Sequence, residues 1–265
     1  MAKRTTLKSD IAWSTTEQIG VHGYDLCNDL IGNVTLGDMA FLEITGRLPK
    51  PQESSMFEAI AVTLVEHGVV PSTLAARLTY DGAPEAIQGA VAAGLLGLGN
   101  VFVGSMETAA KMLSEALRDA APSETLEAVA KRLVDGYIAE RKIVPGIGHP
   151  KHKPLDPRAV RLVVLAREYG FYGRHVQLME QVVAASEAAY ARPLPMNATG
   201  AIGAICCELQ FPWSVVRGIG VISRSVGLVG HILEEQRNPI GVEVFMRAEE
   251  EASAHIVGKF RKDRP

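Results

Sequence analysis

Gln52-Glu53-Ser54-Ser55-Met56-Phe57-Glu58-Ala59-Ile60-Ala61-Val62-Thr63-Leu64-Val65-Glu66-His67 is the stretch whose reading decides the fold. Phe57, Ile60, Ala61 and Leu64 fall at i, i+3, i+4 and i+7, the spacing that lines side chains along one core-facing stripe of an α-helix. The same period recurs along most of the chain. Upstream, Thr35-Leu36-Gly37-Asp38 has the form of a capping box, opening a helix that carries Met39, Phe41, Leu42 and Ile44 and ends at Gly46 and Pro49. Downstream, helices are expected over 72–80, 84–98, 106–120, 124–140, 157–169, 175–190, 197–209, 213–236 and 242–257. Alternating strand patterns and Asn-Gly hairpin signals are missing. An all-α fold of many helices follows, with soft breaks near Gly104-Ser105, Ala121-Pro122 and Phe211-Pro212.

Composition narrows the class. A hydrophobic content of 47% in 265 residues is ample for a packed core, in one large domain or two joined ones. The net charge of −3 offers no general attraction to nucleic acid or an anionic membrane, so neither is an expected partner. No apolar run reads as long enough to span a bilayer; 90–103 reads as a buried helix. Lys3, Arg4 and Lys8 are followed by no apolar segment, so no signal peptide is indicated and a cytoplasmic protein is expected. Cys27, Cys206 and Cys207 are an odd set without metal-ligand spacing, which suits reduced thiols and no metal site.

One loop concentrates the chemistry. Val144-Pro145-Gly146-Ile147-Gly148-His149 is followed, seven residues after the histidine, by Asp156-Pro157-Arg158. Its glycines admit close approach by a ligand, and an arginine grips a carboxylate through two parallel hydrogen bonds. The combination suits polarising a carbonyl or hydroxyl on a carboxylic acid. His149 and His152 lack a convincing third metal ligand, so His149 reads better as a hydrogen-bonding acid or base. His67, with Ser72, Thr73 and Arg77 after it, would serve either a polycarboxylate or the C-terminal cap of its own helix. Thr199 opens a helix of small residues, suited to a ligand or to tight helix packing. Arg217 and Arg224 share one face of a long apolar helix, where an arginine either snorkels or meets an anion. Glu234 and Glu235, at that helix's end, read as solvated.

Four of these segments, in order, resemble the citrate synthase superfamily over nearly the whole chain: Gly23-Tyr24-Asp25-Leu26 with Asp29-Leu30-Ile31-Gly32; Glu66-His67 with Ser72-Thr73 and Ala75-Ala76-Arg77; the Val144–His149 loop with Asp156-Pro157-Arg158; and Ser223-Arg224 with Gly230-His231-Ile232-Leu233-Glu234-Glu235. Within it the chain is most similar to citryl-CoA lyase, including the C-terminal module of ATP-citrate lyase. Its length and the segment Gly99-Asn100-Val101-Phe102-Val103-Gly104 through Ala109-Ala110-Lys111-Met112 carry that likeness.

The resemblance implies a citrate-synthase-like fold, with a large helical domain from 1–104 plus 212–265 and a smaller one from 105–211. It implies cleavage of citryl-CoA to acetyl-CoA and oxaloacetate, with no permanently bound cofactor and the coenzyme A thioester as substrate. His67, Arg77, His149, Arg158 and Arg224 would hold the oxaloacetate-derived half, and Arg237 would stand where the family has a cross-subunit arginine. Val144, Gly146, Ile147, Gly148, Lys151 and Lys153, with Lys142, would face CoA. A homodimer or homotetramer is implied, and the Gly/Ala-rich 89–99 helix suits close two-fold packing. One position departs from the family, Thr199 in place of an aspartate, while Phe102, as in the lyase module, stands where citrate synthase has the histidine that stabilises the enol. Catalysis is therefore expected to rest on His149 as base, with Thr199 and His67 assisting. Two alternatives follow from the same residues: action on a citramalyl- or methylcitryl-like thioester, and a non-catalytic CoA- or citrate-binding homologue.

Overall fold

The computed structural model describes residues 6–149 and 151–262. The stretch that decided the fold is helix α2 (Pro51–Val65), preceded by α1 (Leu36–Thr45) and followed by α3 (Pro71–Gly82) and α4 (Ile87–Leu96). Next come α5 (Gly104–Asp119), α6 (Leu126–Ala139), α7 (Pro157–Tyr169), α8 (Arg174–Tyr190) and α9 (Ala198–Glu208). A single 3-10 turn at Trp213–Val215 leads into α10 (Val216–Arg237), and α11 (Gly241–Lys262) ends the described chain. The protein is mostly helical, as its periodicity predicts.

Local chemistry sets the helix ends. Thr35 Oγ1 accepts the Asp38 N–H while the Asp38 carboxylate accepts the Thr35 N–H, each at 3.0 Å, and Gly46 closes α1 at φ 72°. Asp156 caps α7 with Pro157 in its first turn, and Gly170 ends that helix at φ 84°.

One element departs from the expectation. Strands Ala12–Ser14 (β1), Ile19–Val21 (β2) and Tyr24–Asp25 (β3) form a small antiparallel sheet in the order β1-β2-β3. They are too short to show an alternating pattern. The β2–β3 turn is His22-Gly23, at φ 48° and 87°, the left-handed pair of a tight hairpin that Asn-Gly usually signals. A histidine in the first position hides that signal. Beyond it the Asp25 carboxylate accepts the N–H groups of Cys27 and Asn28, starting a π-helical turn at Leu26–Leu30.

The chain folds as two compact units, Met1–Thr63 with Ser105–Arg217, and Leu64–Gly104 with Gly218–Pro265. In the first unit the rings of Phe41, Phe57 and Phe211 meet edge-on with centroids 5.3 to 5.9 Å apart, each contact contributing about 0.5–1.5 kcal/mol beyond burial. Helix α9 is buried from Ala198 to Cys207 except at half-buried Thr199, and a Cβ on Gly203 would stand 2.8 Å from the Met106 carbonyl oxygen. Its small residues thus serve helix packing. In the second unit α3 packs on α4. A Cβ on Gly94 would meet the Leu228 side chain at 2.7 Å, so this glycine of the 89–99 segment is used within the chain.

Helix α10 corrects two sequence readings. Trp213–Arg237 is long and apolar enough to cross a bilayer by length and composition, yet half of that stretch is buried within the protein. Buried Ser223, Arg224, His231 and Glu235 interrupt it, which marks a core helix. Glu235 is not solvated. It is 2% exposed and accepts Arg77 Nη1 at 2.5 Å and the N–H groups of Ile240 and Gly241 at 2.7 and 2.6 Å. Burial would raise its carboxyl, but the Gly241 N–H, Arg77 and the Ile240 N–H together hold it below the usual carboxylate range.

Candidate active site

Two clusters of polar side chains are built, one in each unit. In the first, the Val144–His149 loop is clamped to the segment entering α9. Ile147 pairs with Met196, the Gly148 N–H reaches the Pro195 carbonyl at 2.7 Å, and the Asn197 N–H reaches that of Gly146 at 3.0 Å. Asn197 also donates from Nδ2 to the Gly148 carbonyl at 2.8 Å while its Oδ1 caps α9 through the Gly200 N–H. Gly146, at φ 84°, faces Gly200 so closely that a Cβ on Gly200 would stand 2.3 Å from the Gly146 oxygen. Only a glycine pair fits there.

That clamp fixes His149. Its Nδ1 accepts the backbone N–H groups of Lys151 and His152 at 3.1 and 2.9 Å, and its ring stacks on His152 at 4.4 Å. An imidazole nitrogen that accepts two N–H groups carries no hydrogen, so the proton of the neutral ring sits on Nε2. His149 is therefore a hydrogen-bond donor at Nε2. Taking a proton at Nε2, as the expected general base must, requires the other tautomer and the loss of both backbone bonds. Thr199 gives its own hydroxyl hydrogen to Asn197 Oδ1 at 2.7 Å, which leaves its oxygen as an acceptor.

Asp156 is fully buried and takes Arg158 as a fork, Nε at 3.0 Å and Nη2 at 2.8 Å, with the Ala198 N–H at 3.1 Å. Burial would raise the Asp156 carboxyl; Arg158 and the Ala198 and Arg158 N–H groups more than offset it and hold it low. Arg158, expected on substrate, thus gives two of its three nitrogens to this carboxylate. Beside the loop lies a cleft of about 970 Å³ whose wall includes Arg141, Lys142, Lys153 and Arg192 among Val144, Ile147, Gly148, His149 and Tyr190. Five of the seven expected CoA-facing residues, Lys142, Val144, Ile147, Gly148 and Lys153, line it. Gly146 is instead buried against Gly200, and Lys151 is exposed and contributes its backbone N–H to His149.

The second cluster joins the 64–77 segment to α10. Arg224 is 7% exposed, and its one recorded hydrogen bond runs from Nε to the Leu64 carbonyl at 3.2 Å. Burial lowers its pKa, against the attraction of nearby Glu66. Its Nη1 and Nη2 have no partner among the described residues and keep access to water, since no buried side-chain nitrogen there is left unpaired. His67 lies exposed in the loop just before α3. Arg77, expected on substrate, is put to another use: it is 1% exposed and donates to Glu234, Glu235 and both ways to His231 Nδ1, with Nε at 3.2 Å and Nη2 at 2.9 Å. Its donors are spent inside the fold. Arg217 pairs with Glu107 at 2.5 Å, and Arg237 is exposed at the end of α10. Phe102, 38% exposed, lies in the turn before α5.

Sequence reasoning passed over Asn197 and Asp156 as site builders and, naming Glu66 and His231 only within motifs, gave them no role. Asn before a small-residue helix and Asp before Pro are N-cap signals that could have found the first two. Nothing local announces the others.

The pattern described as "Citrate synthase, C-terminal domain" matches residues 13–244. The chain belongs to the citrate synthase family. A solved structure of citryl-CoA lyase from Hydrogenobacter thermophilus is similar at 33% identity and TM-score 0.79, covering 87% of each chain. An ATP citrate lyase from Methanothrix soehngenii, at 23% identity and TM-score 0.76 over 89% of this chain and 40% of that one, shares the fold. A probable ATP-citrate synthase of Dictyostelium discoideum is 24% identical over 260 residues, 91% of this chain. This family member spans about two fifths of that protein's length, 40%.

Proposed function

We propose that the protein is a citryl-CoA lyase, cleaving citryl-CoA to acetyl-CoA and oxaloacetate. The observation that carries this reading is Arg224, a mostly buried guanidinium held to the Leu64 carbonyl three residues before exposed His67, with its Nη fork open to solvent and without an acceptor among the described residues. Such a group stabilises a carboxylate that arrives with its own charge. The similar citryl-CoA lyase supports the choice of reaction.

Arg224 and His67 take carboxylates of the oxaloacetate-derived half. The cationic cleft beside Val144–Gly148 takes the phosphates of coenzyme A, with no further cofactor required. His149 Nε2–H donates to the tertiary hydroxyl oxygen and keeps donating as that oxygen becomes a carbonyl, which stabilises the charge developing on it. The hydroxyl proton passes to a water, the C–C pair moves into the thioester as an enolate, and a proton returned from water to that carbon gives acetyl-CoA. Thr199 Oγ1 accepts from the water that takes this proton and so holds it beside the substrate hydroxyl, because a threonine is too weak a base to take the proton itself.

The test is incubation with citryl-CoA, reading oxaloacetate through NADH consumption with malate dehydrogenase. Turnover is expected, slower by about 10²-fold than in Thr199→Asp, since a general base contributes roughly 10²–10⁴-fold. His149→Ala is expected to abolish it; an unchanged rate refutes the assignment of His149. The Thr199 and His149 geometry also favours a second reading, a CoA- or citrate-binding homologue without turnover. Wild-type protein that binds CoA and cleaves nothing, while Thr199→Asp gains activity, establishes that second reading. Cleavage of a citramalyl- or methylcitryl-type thioester instead would move the substrate and keep the mechanism. A homodimer is proposed on the exposed α10 stripe of Ile222, Val226, Val229 and Leu233, and sedimentation reads it directly.

A further inference from the structure

Arg224, Gly227 and His231 lie at i, i+3 and i+7 on α10, and all three bear on the Leu64–Glu66 segment. Arg224 reaches the Leu64 carbonyl; a Cβ on Gly227 would stand 2.1 Å from that of Val65; His231 Nε2 lies 3.1 Å from Glu66 Oε1. Glu66 passes the constraint on. Its Oε2 accepts the N–H of His67 at 3.2 Å and that of Gly68 at 3.0 Å, where the chain turns at φ 70°. From the far side Thr73 Oγ1 accepts the Val70 N–H at 2.9 Å and lies 3.1 Å from the Gly68 carbonyl. The loop carrying His67 is thus held at both ends by side chains.

Arg77 sets the sense of this chain of bonds. A guanidinium only donates, so the two contacts from Arg77 make His231 Nδ1 an acceptor and put the ring hydrogen on Nε2, facing Glu66. Glu235 and Glu234 in turn hold Arg77. Burial would raise the Glu66 carboxyl, and the Gly68 N–H, His231 and the His67 N–H outweigh it, so Glu66 stays an anion able to accept all three.

We propose that Glu66 and His231 are positioning residues for His67, with Glu66 fixing the His67–Gly68 backbone and His231, its tautomer set by Arg77, fixing Glu66. This deepens the reading of His67 as a substrate-holding residue and rests on it. Neither residue touches substrate; their effect falls on affinity.

Two near-isosteric variants of the full chain separate this role from plain packing. His231→Gln keeps an amide N–H where Nε2 stood, and so the bond to Glu66. His231→Asn keeps an amide oxygen where Nδ1 stood, and so the acceptor for Arg77. The first reading is hydrogen exchange of the His67 and Gly68 amides without ligand. His231→Asn is expected to lower their protection about 10-fold and His231→Gln less than about 3-fold, the loss of roughly one charge-assisted bond. The reverse order, or equal losses, overturns the proposal.

The second reading is kinetic. His231→Asn should raise KM for citryl-CoA about 10-fold with kcat held within about 3-fold, and should weaken citrate binding by calorimetry in parallel. Loss of kcat and melting temperature with KM unchanged means a structural role only and overturns the proposal. Wild-type protein that neither cleaves citryl-CoA nor binds citrate overturns the functional reading instead, and the exchange measurement still decides the pair. Should the His231 variants fail to fold, Glu66→Gln sets donor against donor at His231 Nε2 and must show the same loss of His67 protection.

Discussion

Arg77 and Arg224 are two buried arginines of one unit, and they are treated in opposite ways. Arg77 meets two carboxylates and an imidazole, and its donors are spent. Arg224 meets one carbonyl, and two of its nitrogens stay unfilled among the described residues. A guanidinium that is charged, desolvated and satisfied belongs to the fold, where breaking its pairs strands carboxylates in the interior. One whose stem is buried while its Nη fork opens to solvent without a protein acceptor is free to take an arriving anion. Burial alone does not separate a structural arginine from a binding one; the partner list does.

The sharpest way to break this contrast is to remove each arginine. Arg77→Ala should destabilise the fold by about 3–5 kcal/mol in denaturant unfolding, because Glu235 is left buried without its cation. Arg224→Gln should leave stability unchanged or slightly higher and weaken citrate binding by about 100-fold, the order expected for truncating one side of a buried charge pair. If the two results trade places, the comparison fails.

Gly200→Ala offers a control on the other unit. It forces a Cβ to 2.3 Å from a backbone oxygen at the His149 clamp and should cost about 1–3 kcal/mol of stability, with loss of turnover. Full turnover would show that the clamp is not needed.

Asp156→Asn probes the same clamp by pH. The Asp156 carboxyl sits lower in the folded chain than in the unfolded one, so its stabilisation is present above the unfolded pKa and lost as pH falls through the folded one. The variant should be less stable by about 1–3 kcal/mol near pH 7, and the gap to wild type should narrow as pH falls through and below the ordinary aspartate range. A gap constant with pH would mean that the carboxylate charge contributes nothing.

Legibility followed the range of the forces involved. Periodicity and caps gave the helices closely: Pro157–Tyr169 is the expected span, and Thr35 with Asp38 forms the expected capping box. The small sheet escaped because three-residue strands carry no period and His22 fills a turn position that Asn usually marks. At the site, the motifs drew attention to His149, Thr199, Arg158 and Arg224, and left their roles open.

Helix and loop boundaries depend on neighbours within a few residues, so the amino-acid order determined them, together with membership of the family through its ordered motifs. The tautomer of His149, the use of Arg77 and the burial of Glu235 depend on partners far away in the chain or on the path of a loop. Glu235 looks solvated in sequence and becomes the anchor of Arg77, 158 residues away. His149 looks like a base until Lys151 and His152 turn their N–H groups onto Nδ1. A hydrogen bond acts over about 3 Å, and only the tertiary structure decides which groups come within that distance.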